Sequence, residues 1–176
     1  MQHENNDKMT TASPTALIAE DEPLLAQALK AELAAAWPEL QIVATAGDGR
    51  SAVREALRLL PQVLFFDIRM PGLDGLGAAA ELADCWPADE APMPQLVFVT
   101  AYEHYAVCAF EANAVDYLVK PFSRERFRST LERAKTRLRA AALPGSSAQM
   151  MHMLEALGRR EYCERIAVRI DDHLEL

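Results

Sequence analysis

The chain has 176 residues, 51% of them hydrophobic and 25% charged, which is room for one domain with a full core and part of a second. Its formal net charge of -8 excludes a surface built throughout for nucleic acid, because phosphate contacts need clustered Lys and Arg. Cys85, Cys108 and Cys163 and four scattered histidines fall in no metal-ligand or CxxC spacing, so neither a disulfide framework nor a zinc site is expected.

The opening MQHENNDKMTTAS is polar and lacks the apolar core of a signal peptide. No run is long enough to span a bilayer, so a cytoplasmic protein is expected after a disordered tail over residues 1–14. Thr15 to Ala19 is a short apolar run that ends in Glu20, Asp21 and Glu22, a buried strand with a charged exit. Pro23 suits the first turn of a helix, and Leu25, Leu29, Leu33 and Trp37 recur at helical spacing until Pro38. Gln41 to Ala46 returns to strand character, Gly47-Asp48-Gly49 makes a turn, and Ser51 to Leu60 predicts a second helix closed by Pro61.

Val63 to Phe66 is a buried strand that delivers a single acid, Asp67, to a loop containing Pro71-Gly72. A helix from Leu76 to Cys85, a loop from Pro87 to Pro94 and an apolar strand from Gln95 to Thr100 follow. Glu103 to Ala112 predicts a short fourth helix, and Ala114 to Val119 a fifth strand ending at Lys120-Pro121. Ser123 then caps a fifth, basic helix that runs to about Ala141.

Strict alternation with largely apolar strands predicts an α/β fold: a doubly wound, five-stranded parallel sheet with helices on both faces. Ligands bind at the carboxyl ends of the strands in such sheets. Those ends carry Glu20 and Asp21, Asp67, Thr100 and Lys120. Three carboxylates in one small space repel, and a hard divalent cation satisfies them; Mg2+ suits few carboxylates because it keeps waters and accepts phosphate oxygens. Asp67 is then free to act as a nucleophile toward a phosphoryl group, with Thr100 and Lys120 able to bind its oxygens and an aspartyl phosphate as the expected product. The alternative is that each acid caps the following helix, Thr100 is a strand-end hydroxyl and Lys120 a solvated charge.

The stretches IAEDEP, FDIRMPGLDG, VFVTAY and DYLVKPF, in that order over Thr15 to about Ala141, resemble the response-regulator receiver domain of bacterial two-component systems, which has a flavodoxin-like fold. The resemblance implies that Asp67 accepts phosphate from a sensor histidine kinase, and that Glu20, Asp21, Asp67 and the backbone carbonyl of Arg69 hold Mg2+. It also implies that Thr100 and Lys120 bind the phosphoryl oxygens and that Lys120-Pro121 is cis. Tyr117 matches the aromatic switch position that turns inward with Thr100. Arg69 and Tyr102 match positions that tune dephosphorylation. Glu20 stands where the family often has aspartate, and its longer side chain suits a metal contact through water.

TAYEHYAVCAFEANAVDYLVKPF resembles, more narrowly, receivers joined to LytTR-type DNA-binding domains. Residues 142–161 contain the linker LPGSS, and 162–176 alternate as the first strands of such a domain, left incomplete. DNA binding is thus expected only through the missing remainder. A homodimer through the fourth helix, fifth strand and fifth helix is expected, with Glu103, Glu111 and Asp116 opposing the arginines. Two other readings stay open: a stand-alone receiver acting by protein contacts, and a phosphohydrolase with an aspartyl nucleophile. The second is disfavoured, since such enzymes commonly carry an acid two residues after the nucleophile and Arg69 stands there; a phosphoacceptor switch rather than an enzyme is expected.

Overall fold

The computed structural model describes residues 13–141, apart from 107, 108, 110 and 111. Strands β1 (Thr15–Ala19), β2 (Gln41–Ala46), β3 (Val63–Phe66), β4 (Gln95–Thr100) and β5 (Asp116–Val119) form one parallel sheet in the order β2-β1-β3-β4-β5. Around it lie α1 (Pro23–Ala36), α2 (Gly49–Leu59), α3 (Gly75–Cys85) and α4 (Arg124–Ala141). Of the fourth helix expected from Glu103, Ala106 and Ala109 are described as helical, so the expected fifth helix is α4. The linker, the hairpin and most of the amino-terminal tail lie outside the described residues. Pro14, assigned to that tail, is instead tied to the sheet: its carbonyl accepts the Gln41 N–H at 2.8 Å.

Alternation along the strands divides the core into two layers. Leu17, Ala19, Leu64, Phe66 and Phe98 pack on one side with Ala52, Val53 and Ala56 of α2 and Leu76, Ala79 and Leu82 of α3. Ala16, Ile18, Val63, Phe65 and Val97 pack on the other with Leu29 and Leu33 of α1 and Phe127, Leu131 and Ala134 of α4. This is the doubly wound arrangement expected from the alternation of elements. In α1 the buried face runs through Ala26, Leu29 and Leu33 and continues to Trp37 at its C-cap, while Leu25 stays 36% exposed. The reason is the period: a strict four-residue repeat drifts by about 40° per step, so a stripe read from Leu25 leaves the core face.

Helix starts follow their caps. Asp48 Oδ1 accepts from Ser51 N at 2.8 Å and Asp74 Oδ1 from Gly77 N at 2.7 Å, so α2 and α3 begin at Gly49 and Gly75, slightly before the positions that apolar spacing suggests. Ser123 Oγ caps α4 through Arg126 N at 3.1 Å, as expected. Leu60 closes α2 in the left-handed region, with φ 47°, directly before Pro61.

Asp116 corrects an expectation. Its side chain is 4% exposed, and it accepts from both terminal nitrogens of Arg126 at 2.5 and 2.8 Å, from Arg133 at 2.7 Å and from the Thr130 hydroxyl at 2.6 Å. It is therefore engaged within its own chain, not held free for a second copy. Burial opposes its charge, but Arg126, Thr130 and the Tyr117 N–H outweigh that cost and hold the carboxyl below the usual range. A depressed carboxyl contributes stability that is complete above its unfolded value and is lost as pH falls through the lower folded value. Asp116→Ala should lower the unfolding free energy by about 3 kcal/mol at pH 7, and Asp116→Asn should flatten the loss of stability toward acid; urea melts across pH check both.

Candidate functional site

Register brings the expected residues together. Ala19 pairs with Phe66, and the Asp67 N–H continues that pairing onto the Ala19 carbonyl at 2.8 Å, so the acids after β1 and β3 leave the sheet side by side. Thr100 pairs with Val119, and the Lys120 N–H donates to the Thr100 carbonyl at 2.8 Å, which sets Lys120 beside the end of β4. The chain order reverses direction across β1, with β2 on one side and β3 on the other, and the crevice at such a switch point is where open α/β sheets bind ligands.

Glu20, Asp21 and Asp67 offer carboxylate oxygens that all lie within 4.8 Å of one another; Glu20 and Asp67 are buried and Asp21 is exposed. Lys120 Nζ lies 2.5 Å from Glu20 Oε2 and 3.3 Å from Asp67 Oδ2. At an effective dielectric near 20, two like charges about 5 Å apart repel by roughly 3 kcal/mol, so one ammonium leaves this trio under-neutralised. All three donors are hard oxygens at an open strand edge, and such a set fits a divalent cation that retains waters.

Glu20 adds a relation invisible in the spacing, since it and Lys120 stand 100 residues apart. Its second oxygen accepts the Glu22 N–H at 3.2 Å, so both oxygens have partners within the chain. Burial pushes its carboxyl above the ordinary value, with Lys120 opposing. A raised carboxyl favours the folded state as pH falls, so Glu20 and Asp116 contribute to acid stability with opposite signs.

Thr100 is fully buried, and its Oγ1 has no hydrogen-bond partner among the described residues. A buried hydroxyl in that condition is costly unless something else comes to meet it. The Lys120-Pro121 bond is cis, as expected.

The outer rim joins the remaining residues. Arg69 is exposed, its N–H donates to Asp67 Oδ1 at 3.2 Å, and its guanidinium carbon sits 4.9 Å above the centre of the Tyr102 ring. The Tyr117 hydroxyl donates to the Tyr102 carbonyl, and Tyr117 is buried. Asp67, Arg69, Tyr102 and Tyr117 thus form one connected chain. Sequence placed Arg69 and Tyr102 separately beside the site, without revealing that they touch.

The architecture is that of α/β domains whose site gathers acids, a hydroxyl and an ammonium at the carboxyl edge of a parallel sheet. The family model of the response regulator receiver domain matches residues 16–132, and the chain belongs to that family. It is 42% identical over 152 residues to a response regulatory protein of Vibrio cholerae, covering 86% of this chain and 56% of that one. The sensory transduction protein LytT of Enterococcus faecalis is 35% identical over 141 residues, 80% of this chain and 55% of LytT. The chain therefore spans about half the length of such relatives. Among solved structures, the response regulatory domain of mrkE from Klebsiella pneumoniae superposes with a TM-score of 0.62 at 31% identity, covering 69% of this chain and 95% of that one.

Thr100→Val replaces the unpartnered hydroxyl with a methyl of similar size. Chemical unfolding should show stability unchanged or raised by about 1 kcal/mol; a clear loss would mean that the hydroxyl is bonded in the folded protein.

Proposed function

We propose that this chain is the phosphoacceptor half of a response regulator, taking a phosphoryl group from a sensor histidine kinase onto Asp67. The carrying observation is the cluster of three carboxylates with Lys120 against two of them, at the strand edge where β4 ends in Thr100, whose buried hydroxyl has no partner among the described residues. An Asp67 carboxylate oxygen attacks phosphorus as the bond to the donor nitrogen breaks. Thr100 and Lys120 receive the phosphoryl oxygens, which requires Lys120 to loosen its hold on Glu20 and Asp67. Glu20, Asp21, Asp67 and the Arg69 carbonyl would hold Mg2+, which when bound would supply positive charge against the phosphoryl oxygens.

Satisfying Thr100 draws the end of β4 toward the phosphoryl group, and the Tyr117–Tyr102 hydrogen bond makes the buried position of Tyr117 the one coupled to it. The output is proposed to be a LytTR-type DNA-binding domain that begins near residue 162 after a linker over 142–161. The relationship to LytT and the alternation of residues 164–170 support that reading. Pairing of two copies through residues 103–112, β5 and α4 transmits the switch, with Asp116 kept inside each copy and Glu111 outside the described residues. Among the described residues no helix is long and apolar enough to cross a membrane, and the proposed site of action is the cytoplasm.

Incubation with Mg2+ and acetyl phosphate should add one phosphoryl group, detected by intact mass, and Asp67→Asn should remove it. Undiminished labelling of that variant would overturn the assignment. Arg69 and Tyr102 are proposed to set phosphoryl lifetime as a pair, stacked at the rim. Arg69→Ala and Tyr102→Ala should each change the dephosphorylation rate, and the double variant should depart from the product of the single effects by roughly two- to fivefold.

A further inference from the structure

Gly49, the first residue of α2, carries no chemistry and stands outside the polar group at the strand ends. A Cβ built on it would lie 2.0 Å from the carbonyl oxygen of Leu73 and 2.8 Å from its carbonyl carbon. Ordinary contacts between carbons need about 3.5–4.0 Å, so only a residue without a side chain lets α2 approach this closely. Leu73 belongs to the loop that leaves β3 at Asp67, passes through Arg69 and ends at Asp74, the cap of α3. The far end of that loop is pinned as well: the Gly75 N–H donates to the Ile68 carbonyl at 2.8 Å, and a Cβ on Gly75 would lie 2.1 Å from the Asp67 carbonyl oxygen.

The start of α2 is itself firm, because Asp48 caps it. The loop that presents Asp67 is therefore gripped between the amino ends of two helices, and one of them, α2, supplies no polar group to the site. We propose that Gly49 is a positioning residue for the acidic site: by letting α2 abut the Leu73 carbonyl, it holds the Asp67–Asp74 loop where Asp67 comes within reach of Glu20 and Asp21. This rests on the Mg2+ reading above. A backbone carbonyl cannot rotate out of the way as a side-chain tip can, so a methyl at position 49 must shift the loop or the helix. Metal ligation tolerates errors of only about 0.2 Å, and disturbing groups that orient ligands typically weakens metal binding by about 10- to 100-fold.

Two other glycines grade the test. Among the described residues, a Cβ on Gly47 meets nothing within 4 Å, and one on Gly77 meets first the flexible tip of Leu73, Cδ1 at 2.6 Å. Mg2+ alone is titrated calorimetrically into the full chain and its variants, at a temperature where circular dichroism shows each folded. Gly47→Ala should bind as the wild type does, Gly77→Ala within a few-fold, and Gly49→Ala about tenfold or more weakly. Wild-type affinity in Gly49→Ala, or equal weakening in Gly47→Ala, overturns the proposal. If Gly49→Ala does not fold, the wild-type chain decides by nuclear magnetic resonance. Mg2+ should move the Gly49 amide together with that of Leu73, and a still Gly49 beside a shifting Arg69 overturns the role. A wild-type chain that takes up no Mg2+ overturns the metal reading itself, and this proposal with it.

Discussion

Three carboxylates gathered at one edge of a sheet repel one another, and the arrangement persists only because of what surrounds them. Parallel pairing of β1, β3, β4 and β5 forces their carboxyl ends to the same edge, so the residues just beyond those ends have to meet. Lys120 answers two of the three charges from the fifth strand, through Glu20 and Asp67. One ammonium against three acids leaves a residual field that favours a cation. The rest of the domain is arranged to keep this unbalanced cluster in place.

The molecule contains two buried acidic centres of opposite design. At the strand edge, burial outweighs pairing and the Glu20 carboxyl is raised. Behind β5, Asp116 is met by two guanidinium groups, a hydroxyl and a backbone N–H, and its carboxyl is lowered. An under-satisfied cluster can change its partners at small cost, whereas a fully satisfied one resists change. Arg126, which grips Asp116, also donates to the Tyr117 carbonyl at 3.2 Å, so the rigid centre adjoins the residue proposed to switch. A switch needs such a contrast: a place that rearranges and a frame against which the rearrangement is felt.

Much of this was legible in the chain. The alternation of apolar runs with helical spacings identified five strands and their parallel pairing, and the polar residues at the carboxyl ends of four of them named the candidate site, because strand direction leaves only one edge for those residues. What sequence misjudged were positions decided by neighbours on other elements. Leu25 lost its place in the core to Ala26, and Asp116, read as a charge facing outward, was drawn into a network with Arg126, Thr130 and Arg133. Those three stand at i, i+4 and i+7 on one face of α4, a pattern that becomes meaningful only once a strand residue is seen opposite.

By itself, then, the sequence determined the fold class and the membership of the strand-end cluster, since periodicity and strand polarity are properties of the chain alone. Only the tertiary structure decided which partners each of those residues takes. The Glu20–Lys120 pair, the stacking of Arg69 on Tyr102 and the burial of the Thr100 hydroxyl depend on distances between segments far apart in the chain. So does the approach of Gly49 to Leu73, where the informative feature is a side chain that is missing. Packing in three dimensions sets such distances to within a fraction of an ångström, and no one-dimensional pattern encodes them.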